Sequence, residues 1–256
     1  MSLRNDMSKH RLFVQTLVKA EHDNIKNYLS QLRQHAGIEL EKGTYGGVLT
    51  SRLRDVMSSL PDTTLANMAD IADYEARFAV KTFSKYFDGD IVTPTTASLK
   101  KGLVGENMSI NNVSFKNGVA VANNEGAARK SLITAYKQYG QRKADEVVQA
   151  LRDAQIQGLT RAETLKAVDE LINGMQTAQA RTLADTAINY TTNIAKDQVM
   201  QENRDILEQE IWVTDIELNT CDECQGYEDE GAQPAGSFPT PAIHWGCQCE
   251  VVPYVE

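Results

Sequence analysis

Apolar residues recur every three or four positions through most of the first 200 residues. Between Ser8 and His35 the repeat runs Phe13, Val14, Leu17, Val18, Ile25, Tyr28, Leu29 and Leu32, and Gly37 supplies a stop. That pattern predicts one long amphipathic helix. A second is predicted after Gly46-Gly47, with Val48, Leu49, Leu53, Val56, Met57 and Leu60 on one side, and Pro61 and Asp62 break it. A third starts near Thr63 or Thr64 and carries Leu65, Met68, Ile71, Ala72, Phe78, Ala79 and Phe83 as far as Asp88-Gly89-Asp90. Three helices in series predict an antiparallel bundle.

From Ile91 to Asn124 the period is lost in Thr, Asn, Gly and Val-rich sequence, with Pro94, Gly102, Gly105 and Gly118 interrupting any helical reading. This stretch is expected to be a long connector with a short hairpin at Val113–Val121, serving either as a contact arm that orders on assembly or as a plain surface insertion. Helical periodicity returns from Glu125 to about Ile156 through Leu132, Ile133, Tyr136, Val147, Val148 and Leu151. Thr160-Arg-Ala-Glu163 then fits a capping box, in which hydroxyl and carboxylate satisfy each other's free backbone donors. A further helix is expected after Gly174, running to about Asn203. At Glu210–Asp215 β-branched Ile211 and Val213 flank Trp212, which predicts a short strand, and a second is expected at Cys247–Tyr254. The fold class is therefore mainly α: an elongated helical bundle body with a small β-containing C-terminal module. The expected divisions are an N-terminal helical region 1–90, a connector 91–124, a helical region 125–208 and the module 209–256.

Composition narrows the class. With 41% hydrophobic and 24% charged residues, wholesale disorder, collagen-like repetition and a membrane channel are disfavoured. No run approaches the roughly 18 apolar residues of a membrane span, and the opening MSLRNDMSKHR passes into an amphipathic segment without a signal-peptide core, which predicts cytoplasmic synthesis. Residues 201–256 carry 13 acidic groups and one basic group, Arg204, against 22 acidic and 25 basic in residues 1–200. So acidic a tail repels duplex DNA, and the weakly positive body lacks a clustered basic face, so strong direct DNA binding is not expected.

All four cysteines, Cys221, Cys224, Cys247 and Cys249, fall in that tail. Cys221-Asp-Glu-Cys224 has the spacing that turns two thiolates toward one ion, and His244-Trp-Gly-Cys247-Gln-Cys249 adds an imidazole and two more thiols. Five candidate ligands for a four-coordinate ion favour a closed, structural zinc site that makes the module a zinc knuckle. His244 and Cys247 mirror the first pair, and either Cys247 or Cys249 completes the set. The alternative is two disulfides. A redox reading of the Cys-x-x-Cys pair lacks its strand-helix context. Glu228-Asp229-Glu230 reads as a solvated acidic loop, not a calcium site. Asp222 or Glu223 would need a second His nearby to act in metal-assisted hydrolysis, but His10, His22 and His35 belong to the first helix. With no Ser-His-Asp set, phosphate-binding glycine loop or dinucleotide fingerprint, the chain is not expected to be an enzyme.

The tail residues Trp212, Thr220-Cys221-Asp-Glu-Cys224, Pro241 and His244-Trp-Gly-Cys247-Gln-Cys249 resemble the C-terminal signature of the Mu F-like phage head morphogenesis proteins, or phage minor head proteins. The helix around Ala180–Thr186 is similar to that family's lead-in, so the resemblance covers about residues 140–256. It implies a minor capsid protein of the virion at the portal vertex, acting in head assembly or in DNA packaging and ejection. Implied partners are the portal or major capsid protein, with scaffold a further one. The implied location is the host cytoplasm during assembly and then the head. A zinc-dependent nuclease or other DNA-processing enzyme, and a host-encoded zinc-knuckle adaptor, are the alternatives.

Overall fold

The computed structural model describes residues 2–44, 46–104, 108–109, 112–116, 119–123, 129–175, 178–214, 220–244 and 246–255. In chain order the helices are α1 (Leu3–Glu41), α2 (Gly46–Ser58), α3 (Leu60–Phe83), α4 (Thr96–Val104), α5 (Leu132–Ile156), α6 (Arg161–Met175), α7 (Ala178–Glu202) and α8 (Asp222–Asp229). The strands are β1 (Met108–Ser109), β2 (Asn112–Lys116), β3 (Val119–Asn123), β4 (Arg129–Lys130), β5 (Gln209–Val213), β6 (Gln233–Pro234) and β7 (Glu250–Pro253). The fold is mainly α, with one small three-stranded antiparallel sheet near the C-terminus in the order β6-β5-β7. No helix among the described residues is long and apolar enough to cross a membrane.

The first helix is longer than its apolar repeat. Buried positions of α1 recur at spacings of three and four, through Leu3, Met7, His10, Val14, Val18, Glu21, Ile25, Leu29, Leu32, Ala36 and Glu39. Three members of this stripe are polar, which is why an apolar count starts it late and stops it early. Phe13, expected on the inner face, is 38% exposed. Helix α3 also starts ahead of its prediction, because Pro61 lies in its first turn, where the missing N–H has no helical partner to lose.

The connector is partly corrected. Its hairpin is present as β2 and β3, paired from Asn112↔Asn123 to Lys116↔Val119. Its Gly102, however, lies inside α4 rather than ending a helix. A Cβ there would sit 2.7 Å from Ile194 Cγ2, so glycine is what lets α4 approach α7 this closely. The helix expected from Glu125 begins at Leu132, since Arg129 and Lys130 pair with Ser109 and Met108. Residues 124–128 lie outside the described residues.

Chain contacts divide the protein into two compact units, residues 1–17, 65–132 and 185–256 in the first, and 18–64 and 133–184 in the second. These units cut across the four stretches drawn from the sequence, because α1, α3 and α7 each contribute to both.

The second unit packs Ile25, Leu29, Leu32, Leu53, Leu60 and Tyr136, all fully buried, with Val147 and Ile172. Its buried Glu21 accepts from Thr64 Oγ1 at 3.1 Å. Paired two-point bonds join Arg54 to Asp145 and Arg33 to Asp169. The capping box forms as expected: Thr160 N donates to Glu163 Oε2 at 2.8 Å and Glu163 N to Thr160 Oγ1 at 3.3 Å.

The first unit has Met68, Phe83, Leu99, Leu103, Tyr190 and Trp212 at its centre. Within it α7 is buried at nearly every position from Thr186 to Met200, polar Thr186, Thr191, Asn193 and Lys196 included. A helix enclosed on all sides must find partners for such groups: Thr191 donates to Ala187 O within the helix, and the tail supplies partners for Thr186, Asn193 and Lys196.

Candidate metal centre

Local structure turns the first two cysteines together. Cys221 caps the N-terminus of α8, in extended backbone (φ −76°, ψ 157°), and its sulfur accepts from Cys224 N at 3.4 Å. Both sulfurs thus sit at the N-terminal end of α8. Asp222 and Glu223 occupy the first turn, where their charge suits the helix dipole. The acidic run that follows is a correction to the loop reading: Glu228 and Asp229 are helical, Glu230 is the C-cap, and Glu228 accepts from Thr214 Oγ1.

The imidazole comes next. His244 Nε2 stands 3.2 Å from the sulfurs of both Cys221 and Cys224. Cys247, whose N–H donates to His244 O at 3.2 Å, places its sulfur 4.0 Å from that of Cys224. The donor atoms form two sets, Cys221, Cys224 and His244, and Cys224, Cys247 and Cys249, each within 4.8 Å throughout, with Cys224 common to both. None of the four cysteines is in a disulfide. All five residues singled out from the sequence are therefore brought together.

Does this set fit an ion? Tetrahedral zinc, with Zn–S about 2.3 Å and Zn–N about 2.0 Å, sets neighbouring donors about 3.5 to 3.8 Å apart. The separations of 3.2, 3.2 and 4.0 Å bracket that range. Cys224, Cys247 and Cys249 are buried, at 1%, 1% and 5% exposure. Hydrogen bonds from Cys224 and Cys249 hold the Cys247 thiol well below its usual range, whereas bonding to Cys247 and Cys249 pushes Cys224 up. Crowded thiols share their protons in this way, and a cation is what lets all of them ionise together. The cluster could bind a metal ion.

Several neighbours of the site lie outside the Cys/His pattern. Trp212 is 2% exposed and packs against Tyr227 (ring centroids 4.8 Å, tilted) and Phe238 (6.0 Å, edge-on). Its Nε1–H makes no hydrogen bond of normal length and lies in reach of the Cys249 sulfur, where an N–H donor stabilises a metal-bound thiolate. The segment 246–251 is held by distant side chains. Thr186 Oγ1 accepts from Gly246 N at 2.8 Å, Arg11 donates to Gln248 O, and Asn193 donates to Cys249 O at 3.1 Å. The only hint of these in the sequence is a polar run, Thr191-Thr-Asn193, inside a helix. Of the other histidines, His10 is paired with Glu75 at 2.7 Å in the interior.

Compared with known proteins, the chain matches no family model, no curated protein and no solved structure.

Proposed function

We propose that this protein is a non-enzymatic assembly protein whose C-terminal part is clamped by a structural zinc ion, and that it serves as a minor head protein of a tailed phage at the portal vertex. The observation that carries the reading is the gathering of His244 and four thiols into two donor sets that share Cys224. A soft, sulfur-rich set with more donors than a tetrahedral ion needs leaves no position for a reacting water, which is the character of a structural zinc site. Cys221, Cys224 and His244, with Cys247 or Cys249, would hold the ion, which supplies cross-linking rather than chemistry. The phage assignment draws on the likeness of Trp212, Pro241 and the Cys/His pattern to the Mu F-like head proteins. Portal or major capsid protein is the partner this reading names, and the acidic tail suits a basic docking surface.

Three measurements test it. Elemental analysis of protein purified under reducing conditions is expected to give about one zinc per chain. Absence of metal with all four thiols freely reactive would overturn the zinc clamp. Sedimentation of the tagged chain with assembled heads, alongside portal protein, is expected for the head role. Metal-dependent plasmid cleavage lost in His244→Ala would replace it with a nuclease.

A further inference from the structure

We propose that Asn193 is the positioning residue of the metal centre, the side chain that delivers the second half of the donor set to the ion. The inference rests on the reading of the Cys/His cluster as a metal site. The two halves of that cluster are held in different ways. Cys221 and Cys224 are set by their own local structure, the first turn of α8. Cys247 and Cys249 lie in a stretch that precedes β7 and has no regular secondary structure; Cys247 is tied locally by its N–H to His244 O at 3.2 Å, and Cys249 is outside that turn.

Asn193 supplies what local structure does not. It projects from α7, is 3% exposed, and uses every polar atom of its amide. Its Nδ2 donates to Asn189 O at 2.8 Å, a bond within its own helix that fixes the side chain, and to Cys249 O at 3.1 Å. Its Oδ1 accepts from Val251 N at 3.4 Å. Two carbonyls and one N–H therefore surround one amide, a demand only a group with two donors and an acceptor satisfies. Aspartate would face two carbonyls with acceptors, and an apolar residue of the same size would take this partner from both Cys249 O and Val251 N. Arg11 grips the preceding carbonyl, Gln248 O, and Lys196 pairs with Glu250 at 2.5 Å, whereas Asn193 holds the backbone of a donor residue itself. Partners of this kind, outside the ligand set, typically alter metal affinity by roughly 10- to 100-fold.

The test is Co2+ titration of the full-length chain, read by affinity and by thiolate-to-cobalt charge transfer. Asn193→Ala is expected to bind roughly 10- to 100-fold more weakly. At saturation it is expected to show reduced charge-transfer intensity, because the thiols of the second set are no longer presented. Asn193→Asp, which keeps the acceptor for Val251 N and loses the donor to Cys249 O, is expected to fall as far. Tyr190→Phe is the comparison, removing a buried bond to Gly102 O in the same helix without touching the donor segment. A purely structural role would make Asn193→Ala and Tyr190→Phe lose affinity in proportion to their loss of thermal stability, with wild-type charge transfer, and that result overturns the proposal. Arg11→Gln is an independent probe: a smaller fall in affinity supports the proposal and an unchanged affinity counts against it. A wild-type chain that binds neither Co2+ nor Zn2+ with reduced thiols overturns the metal reading itself, and the proposal with it.

Discussion

Lys196 Nζ lies 2.5 Å from Glu250 Oε2, joining α7 to the first residue of β7 through an ion pair whose side chains are 4% and 14% exposed. Burial pushes the Glu250 carboxyl up, and the charge and hydrogen bond of Lys196, with the charges of Arg11 and His10, more than reverse that and hold it below the usual carboxylate range. Lys196→Ala removes this carboxylate's hydrogen-bonded partner, leaving it the charges of Arg11 and His10, and is expected to cost roughly 3–5 kcal/mol. Replacing both partners by apolar residues of similar volume, as in Lys196→Met with Glu250→Leu, is expected to lie close to wild type. Urea titration of the two variants checks the order.

Glu39 gives the second unit an acid-sensitive tie. Thr44 hydrogen-bonds its carboxylate, and Arg52 (2.5 Å) and Lys42 (3.2 Å) add donors and charge, which overcome burial and bring its pKa down to about 2 from 4.5. A carboxyl lowered on folding contributes stability that is complete above its unfolded pKa and drains away as pH falls through the folded one. The contribution is therefore expected to persist above about pH 4.5 and vanish by about pH 2. Thermal melts of Glu39→Gln across that window are expected to show a shallower fall than wild type.

Gly102→Ala sets helix propensity against packing. Alanine is favoured over glycine inside a helix by about 1 kcal/mol. Here its methyl would meet Ile194 Cγ2 at 2.7 Å, a methyl fixed on the branched Cβ of a stiff side chain, and overpacking costs about 1–3 kcal/mol. The variant is expected to be less stable, and Ile194→Ala in the same chain to restore most of the loss, as read by denaturant midpoint.

Removal of the proposed ion is expected to register first at Trp212, whose ring packs on Tyr227 and Phe238 and whose N–H faces Cys249. Chelation in a Trp245→Phe chain, which leaves Trp212 as the sole tryptophan, should change its emission and near-ultraviolet dichroism. Far-ultraviolet helical signal should be largely retained, because the helices are held by apolar packing such as that around Phe83 and Ile25. Unchanged Trp212 signals with complete metal loss would place the ion elsewhere.

The sequence by itself determined what neighbouring residues decide together. A repeat of three and four marks a helix, so the principal helices, apart from α4 and α8, were legible along with the β2–β3 hairpin. Thr160 and Glu163 cap each other within one turn, and Cys221 and Cys224 are turned by the same short helix that their spacing opens. The donor set was legible for a chemical reason, since thiols and an imidazole crowded into one acidic tail have few other uses.

Only the tertiary structure decided the rest, because the value of a buried polar group depends on a partner remote in the chain. His10, Glu21 and Glu39 read as solvent-facing breaks in an apolar stripe until Glu75, Thr64 and Arg52 are set against them. Gly102 reads as a helix stop until Ile194 occupies the space a side chain would need. Asn193 reads as an indifferent residue of a polar helix. It acquires its role from a carbonyl 56 residues further on, a pairing that no local pattern encodes because the hydrogen bond forms only once both segments are folded.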